Sequence, residues 1–536
     1  MIGKHVLWIS SYRLARLPRV LPSPGQVWLP PKNRCDKVES MKYISTRGSS
    51  SPLTSKKAII KGIADDSGLY VPSAFPFLGL DPFNHLSQPS YASRAVNILR
   101  PFLTDFKEEE LLQDCQAAYG SSFDSPSTAP VRFLDEGTAV LELWHGPTLS
   151  FKDMALQLMP RLLTTAIRSE GGQYEVVVLV ATSGDTGKAA LEGFADVEGV
   201  RIFVFYPHEG VSEMQRLQMV TQRGKNVGVC GVIGNFDDAQ SGMKQIFSNR
   251  EINEKVEGSQ FRLSSANSIN WGRLAPQVTY YFAVYEEMVL AGKAKRGDEI
   301  NICVPTGNFG NILAAYYAVR CGLPVAKLIC ASNINKVLTD FIRTGIYDRR
   351  REFHKTESPS MDILISSNLE RLVFELAGRD PGQVSEWMNQ LVKDGVYRIP
   401  RGTLEELQSL FYAGFADHDE TSRAIKNAFE KHGYLLDPHS AVGFDVLQKY
   451  REETGDSRPV ALVSTASPFK FNRGVLEALG RETSGRDEFA LLRELSSVSG
   501  QAVPRKLADL QSLPEIHCGV CQRQDMGKVL FRFLGI

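Results

Sequence analysis

The sequence predicts an α/β protein whose parallel sheets carry helices on both faces, and three observations predict it. Between residues 142 and 331 apolar runs of strand length alternate with helix patterns, the order that right-handed crossovers between parallel strands produce. The runs at 176–181, 201–207, 227–232 and 300–305 are almost uninterrupted in apolar residues, as strands covered on both faces are. Two of them, 176–181 and 300–305, lead straight through glycine-bearing loops into helices, and ligands of such sheets lie at the carboxyl ends of the strands.

Taken in order, residues 1–40 differ from the rest. They hold no acidic residue before Asp36, carry Arg13, Arg16 and Arg19, and end in a stretch with Pro22, Pro24, Pro30 and Pro31. Composition alone allows an organellar transit peptide. After an extended opening, the chain to about residue 125 reads as mostly helical, with Asp66-Ser67-Gly68 turning into a strand at 69–72. Glu108, Glu109 and Glu110 read as a solvated helix face. A short apolar strand at 139–143 then passes through Gly146-Pro147 into a helix pattern and leaves Lys152 among Leu149, Phe151 and Met154. Residues 367–435 read as an inserted helical region, amphipathic around 369–374 and 424–429. The strand 460–464 returns to the sheet and delivers Thr465 to a strand end.

Lys152 is the residue around which chemistry can be argued. Desolvation lowers a lysine pKa, and a neutral amine is what a carbonyl cofactor such as pyridoxal phosphate needs for Schiff-base formation. Taken alone, a lysine at a helix start is far more often a surface group whose stem lies over apolar neighbours. The two glycine loops change the weighing, because amides at a strand-to-helix turn can bind an anion. Neither loop fits a nucleotide motif. A Walker A loop needs glycine five residues before the Gly187-Lys188 pair and Ser or Thr after it, where this chain has Thr182 and Ala189, and the second loop lacks the three-glycine dinucleotide spacing.

Composition bounds the rest. A length of 536 residues with 43% hydrophobic content suffices for a large core and argues for two or three domains. Charge is balanced, 61 basic residues against 61 acidic, which provides no field for nucleic acid or an anionic membrane. The longest apolar runs are strand-sized, short of the roughly 20 residues of a membrane span. Eight cysteines are scattered, most in strand-like settings such as Cys303 and Cys330, which fits a reducing, cytoplasmic setting. His517, Cys518 and Cys521 form a C-x-x-C cluster without a second pair, and no metal is assigned to it.

Four motifs together are specific. Trp144-His145-Gly146-Pro147-Thr148 running to Phe151-Lys152-Asp153, then Thr182-Ser183-Gly184-Asp185-Thr186-Gly187, then Ser265-Ala266-Asn267-Ser268-Ile269-Asn270, then Pro305-Thr306-Gly307-Asn308-Phe309-Gly310 resemble threonine synthases in order and spacing. These are pyridoxal-phosphate enzymes related to the β subunit of tryptophan synthase. The likeness begins at Met41 and includes Ser358-Pro359-Ser360-Met361-Asp362 and Pro438-His439-Ser440-Ala441-Val442.

The resemblance implies the tryptophan synthase β-like fold, fold type II. It divides the chain into a 1–40 extension, explained most simply by a start codon placed too far upstream, a 41–135 N-terminal domain, a 136–480 catalytic region with the 367–435 insertion, and a 481–536 C-terminal segment. It implies conversion of O-phospho-L-homoserine and water to L-threonine and phosphate by a monomer or homodimer. Lys152 would bond the cofactor and move protons at the substrate's α and β carbons. Gly307, Asn308, Phe309 and Gly310 would hold the cofactor phosphate, Asn311 would stand beside the cofactor, and Thr465 would meet the pyridine nitrogen.

Ser183, Gly184, Asp185, Thr186 and Gly187 occupy the position of the loop that receives the amino acid's carboxylate, with Asp185 expected to cap the helix that follows. Asn267, Ser268 and Arg273 would bind the substrate phosphate, since an arginine fork suits that group; His145 and Lys188 are weaker candidates. Asn311 stands where many members have aspartate, and Ser467 where many have histidine before Pro468. Two readings stand beside this one: a lyase acting on O-phosphoserine or O-phosphothreonine, as in threonine synthase-like proteins, and a pyridoxal-phosphate-binding protein without turnover.

Overall fold

Two sheets, almost wholly parallel, divide the expected strands between them. The computed structural model describes residues 40–536 apart from 81, 84–88 and 183. The expectations for residues 1–39, and for Ser183, lie outside the described residues. The larger sheet runs Phe411–Phe415, Val325–Ser332, Ile300–Pro305, Val460–Ser464, Thr138–Glu142, Val131–Phe133, and only the last pair is antiparallel. The smaller runs Val520–Gln522, Val227–Ile233, Val200–Pro207, Glu175–Ala181, Phe261–Ser265, parallel throughout.

Val460–Ser464 forms because Val-Ala-Leu-Val-Ser can bury both faces, and every one of its residues is buried. It pairs with Thr138–Glu142 from Val460↔Thr138 to Ser464↔Glu142, and on its other side with Ile300–Pro305. Burial of each large aliphatic there contributes roughly 1.5–3 kcal/mol. The consequence for the site is positional: the chain leaving Glu142, Pro305 and Ser464 emerges at one end of the sheet.

Residues 41–135 open with Tyr43–Ser45 paired antiparallel to Tyr70–Pro72, followed by the helices Tyr91–Leu99 and Glu108–Ala118. The Tyr43 ring lies 5.1 Å from that of Trp271, and its hydroxyl donates to the Phe102 carbonyl at 2.8 Å. One apolar cluster runs from Tyr43 to Val463, so this segment and the catalytic region share a core. Residues 505–536 supply the edge strand of the small sheet and the helix Met526–Leu534, whose Met526, Leu530 and Leu534 pack with Phe203 and Val232.

The inserted helical region expected at 367–435 also holds two strands that the pattern did not announce. Its helices are present, but Phe411–Phe415 is an edge strand of the large sheet and Val396–Arg398 pairs with Ile346–Asp348. The run Phe-Tyr-Ala-Gly-Phe follows the helix Arg401–Leu410 with no turn residue between them, so the helix pattern masks it. Among the described residues no helix is long and apolar enough to cross a membrane.

Candidate active site

A cavity of about 340 Å³ opens at the carboxyl ends of the strands, and Lys152 reaches into it. Lys152 directly precedes the short helix Asp153–Leu156. The segment is clamped: Phe151 N–H donates to the Thr465 carbonyl at 2.8 Å, and the Asp153 carboxylate accepts from the Thr148 amide and hydroxyl at 2.8 and 2.7 Å. Gly146 is required here, since a Cβ would stand 2.4 Å from that of Asp153. Lys152 is 7% exposed and its Nζ donates to Ser360 Oγ at 3.0 Å and Asp185 Oδ2 at 3.3 Å. Burial is the main cause holding its pKa below the ordinary value; Asp185 opposes, while Lys470 and Arg273 push further down.

Asp185 begins the helix Asp185–Phe194, but among the described residues its carboxylate accepts from side chains and not from that helix's amides, which corrects the capping role expected of it. Its carboxylate accepts from Lys470 Nζ at 2.6 Å and Gln215 Nε2 at 3.2 Å as well as from Lys152. Burial would raise its pKa, but Lys470 and Lys152 outweigh that and hold it well below the ordinary value. Of the same loop, Thr186 lines the cavity. Gly184 and Gly187 are set behind it, against Gln215 and against Thr182 with Val204. Thr182 Oγ1 accepts from the Gly184 and Gly187 amides at 3.0 and 2.9 Å.

Across the cavity Gly307, Asn308, Phe309, Gly310 and Asn311 follow Ile300–Pro305 and turn into the helix Gly310–Arg320. Phe309 adopts φ 62°, and a Cβ on Gly307 would lie 2.4 Å from the Ser360 carbonyl oxygen. Asn311 is buried; its Oδ1 accepts from the Tyr280 and Tyr281 hydroxyls at 2.6 and 2.5 Å, and its Nδ2 has no partner among the described residues. Thr465 lines the wall at the end of Val460–Ser464.

Asn267, Ser268 and Arg273 complete that wall. Arg273 is 5% exposed and donates one hydrogen bond, to the Ala266 carbonyl at 2.7 Å. No ion pair among the described residues includes it, and burial pushes it down to about 10, still protonated at neutral pH. It is therefore a buried cation facing the cavity, a costly arrangement unless an anion joins it.

His145 and Lys188 do not line the cavity. His145 sits between Asp124 and Glu142, and Lys188 bonds Glu192 and Gln222. His517 donates to the Gln222 carbonyl while Cys521 lies buried in the edge strand. Sequence reasoning missed three cavity neighbours: Ser360, His439 and Lys470. The first two stood in motifs quoted for likeness without a role, and the third follows Thr465 in a strand-end segment; nothing in their spacing signals convergence on Lys152.

Residues 137–397 match the family model described as pyridoxal-phosphate dependent enzyme, the class that a buried amine facing an amide loop at a helix start defines. Residues 42–119 match the model for the threonine synthase N terminus and 440–529 that for the threonine synthase C-terminal region. Threonine synthase of Schizosaccharomyces pombe is 38% identical over 467 residues, covering 82% of this chain and 89% of that one. Threonine synthase-like 1 of Homo sapiens is 38% identical over 500 residues, covering 91% of this chain, and the chain spans 63% of that relative's length. The structure of pyridoxal-phosphate-bound threonine synthase from Brucella melitensis superposes with a TM-score of 0.81 at 36% identity, covering 92% of this chain and 99% of that one. The chain belongs to the threonine synthase family of pyridoxal-phosphate-dependent enzymes.

The cavity fits that cofactor on its own evidence of shape and donors. The unpartnered Asn311 Nδ2 and the main chain at the start of Gly310–Arg320 are donors for a phosphate, and Gly307 lets the main chain approach closely. Lys152 presents an amine to the same cavity, its charge disfavoured by burial.

Proposed function

We propose that the chain converts O-phospho-L-homoserine and water to L-threonine and phosphate. The observation that carries this reading is Arg273, a buried cation without an ion-pair partner among the described residues, on the same cavity as Lys152. A substrate with an amino group for one end and a phosphate for the other suits that pair of anchors.

When bound, pyridoxal phosphate supplies a carbonyl carbon that an amine can join and a ring that draws electrons from the carbon bearing that amine. Gly307, Asn308, Phe309, Gly310 and Asn311 would hold its phosphate, Thr465 its ring nitrogen and Lys152 its carbonyl carbon. A neutral hydroxyl at the ring nitrogen does not force a proton onto it, as a carboxylate would. Lys152 Nζ, whose charged form burial disfavours, takes the proton from the substrate's α carbon and, once that proton has been passed on, one from its β carbon; as the phosphate leaves, a proton goes to the γ carbon, which becomes the methyl, and one is returned to the α carbon. Arg273, with Asn267 and Ser268, holds the γ-phosphate as it departs; water then provides the hydroxyl at the β carbon. Of the 183–187 loop, the main-chain amides of Asp185 and Thr186 would take the carboxylate, those of Gly184 and Gly187 being held by Thr182, while the Asp185 side chain stays paired with Lys470.

A γ-phosphate lies one carbon farther from the amino group than a β-phosphate, so fixed anchors discriminate by reach. Purified protein should release phosphate and threonine from O-phosphohomoserine far faster than it consumes O-phosphoserine or O-phosphothreonine. Equal use of these substrates would favour the phospho-lyase reading instead. Borohydride reduction followed by peptide mass spectrometry should find the cofactor on Lys152; finding it on another lysine, or nowhere, would refute the assignment.

A further inference from the structure

We propose that Ser360 is a positioning residue for Lys152, its hydroxyl aiming the amine while the neutral ring of His439 holds the Ser360 main chain in place. This rests on the reading of Lys152 given above, and it gives a role to two motifs that the cofactor and substrate assignments leave unused.

A lysine amine sits on a four-carbon stem, and an amine that serves two carbons in turn needs a fixed direction. Ser360 comes from 208 residues farther along the chain, and its Oγ accepts from Lys152 Nζ at 3.0 Å. The same hydroxyl donates toward Asp185 Oδ2 at 3.4 Å. One hydroxyl thus receives a hydrogen from the amine and gives its own to the carboxylate, which sets its orientation.

The position of that hydroxyl is fixed from both ends of its turn. Ser360 N–H donates to His439 Nε2 at 3.1 Å, so that nitrogen carries a lone pair. Nδ1 must then bear the ring proton, and it donates to Asp437 Oδ1 at 2.8 Å. Asp437 also accepts from the His439 amide at 2.9 Å and from the Ser440 hydroxyl. Beyond the 3₁₀ turn Pro359–Met361, the Asp362 carboxylate accepts from Asn333 at 2.8 Å, Asn335 at 3.1 Å and Thr356 at 2.8 Å. The Ser360 carbonyl meanwhile packs over Gly307, so this one turn touches both the amine and the phosphate loop.

The charged and titratable groups around Lys152 are Asp185, Lys470 and Arg273, with His439, Asp362 and Lys244 on the same cavity; Ser360→Ala removes none of them and takes from Asp185 only the 3.4 Å hydrogen bond of the hydroxyl. An acceptor to the charged amine favours the charged form, so its removal should lower the lysine pKa. The test uses the full chain. Acylation of Lys152 by acetic anhydride is followed against pH by peptide mass spectrometry, and cofactor uptake and kcat with KM are measured after pyridoxal phosphate is added.

Ser360→Ala should move the acylation midpoint down by about one pH unit and lower kcat roughly tenfold with KM little changed. Ser360→Thr, which retains the hydroxyl, should keep the wild-type midpoint. His439→Leu should shift it as Ser360→Ala does, and His439→Gln, whose amide oxygen can accept from Ser360 N–H, should not; this pair tests the role even where Ser360→Ala fails to fold. An unmoved midpoint in Ser360→Ala and His439→Leu, with the cofactor taken up at Lys152, would overturn the Ser360 role alone. A Ser360-dependent midpoint with the cofactor bound elsewhere would overturn the cofactor reading alone.

Discussion

Replacing Arg273 with methionine separates a binding role from a structural one, because the two make opposite demands on stability. Within the protein the guanidinium makes a single hydrogen bond, to the Ala266 carbonyl at 2.7 Å, and no ion pair among the described residues. Losing that bond costs about 1 kcal/mol, but Arg273→Met also removes a charge that is buried without compensation, which offsets it. The variant should therefore melt within a few degrees of wild type. Catalysis should respond differently. A charged hydrogen bond to phosphate is worth about 2 kcal/mol, so kcat/KM for O-phosphohomoserine should fall about 30-fold. The assay is phosphate release under subsaturating substrate, with weak inhibition by L-homoserine as the control that lacks a phosphate. Unchanged kcat/KM, or an equal loss of homoserine inhibition, would refute the argument that this cation waits for a phosphate.

Three further outcomes are expected. Gly307→Ala would drive a methyl to within 2.4 Å of the Ser360 carbonyl, so the loop must shift and the pyridoxal-phosphate dissociation constant, measured by fluorescence titration, should rise at least tenfold. Asp185→Asn should leave the Lys470 side chain, 1% exposed, charged and unpaired at a cost of about 3–5 kcal/mol, read as a lowered urea midpoint. Since the folded pKa of Asp185 lies well below its ordinary 3.8, its contribution is present above that value and is lost as pH falls toward the folded one, so the acid limb of the stability curve should flatten in the variant. His145 shows the opposite sign: burial opposes its charge, but hydrogen bonds with Asp124 and Glu142 prevail and raise its pKa from 6.5 to about 9. Its contribution is complete below 6.5 and fades as pH rises through 9, and His145→Gln should abolish that slope in urea midpoints measured across the window.

The parallel strands were legible because burial on both faces writes itself as uninterrupted apolar runs; Ile300–Pro305 and Val460–Ser464 have the bounds that the pattern predicts. Phe411–Phe415 was not legible, as an aromatic strand that abuts a helix carries no turn to announce it. Within the site, Lys152 and the loop after Ile300–Pro305 could be found from local chemistry. Ser360, His439 and Lys470 could not, since what matters about them is a distance across hundreds of residues, and a side chain's partner leaves no mark in its neighbours. Asp185 misled for a related reason: an acidic residue at a helix start reads as a local cap, whereas its actual partners come from elsewhere in the chain.

The position of Val460–Ser464 between Ile300–Pro305 and Thr138–Glu142 also sets a timetable for biosynthesis. The two older strands leave the ribosome long before the one that joins them, so a nascent chain ending short of residue 464 holds two unjoined halves of the large sheet. Such non-local pairing is slow and leaves strand edges open in the interim. Lys152 is in the same position, translated early but meeting Ser360 and the Asp185–Lys470 pair only when most of the chain exists. The cavity is thus completed only once Lys470 has been translated, and chaperone dependence should be concentrated in the interval before the joining strand arrives.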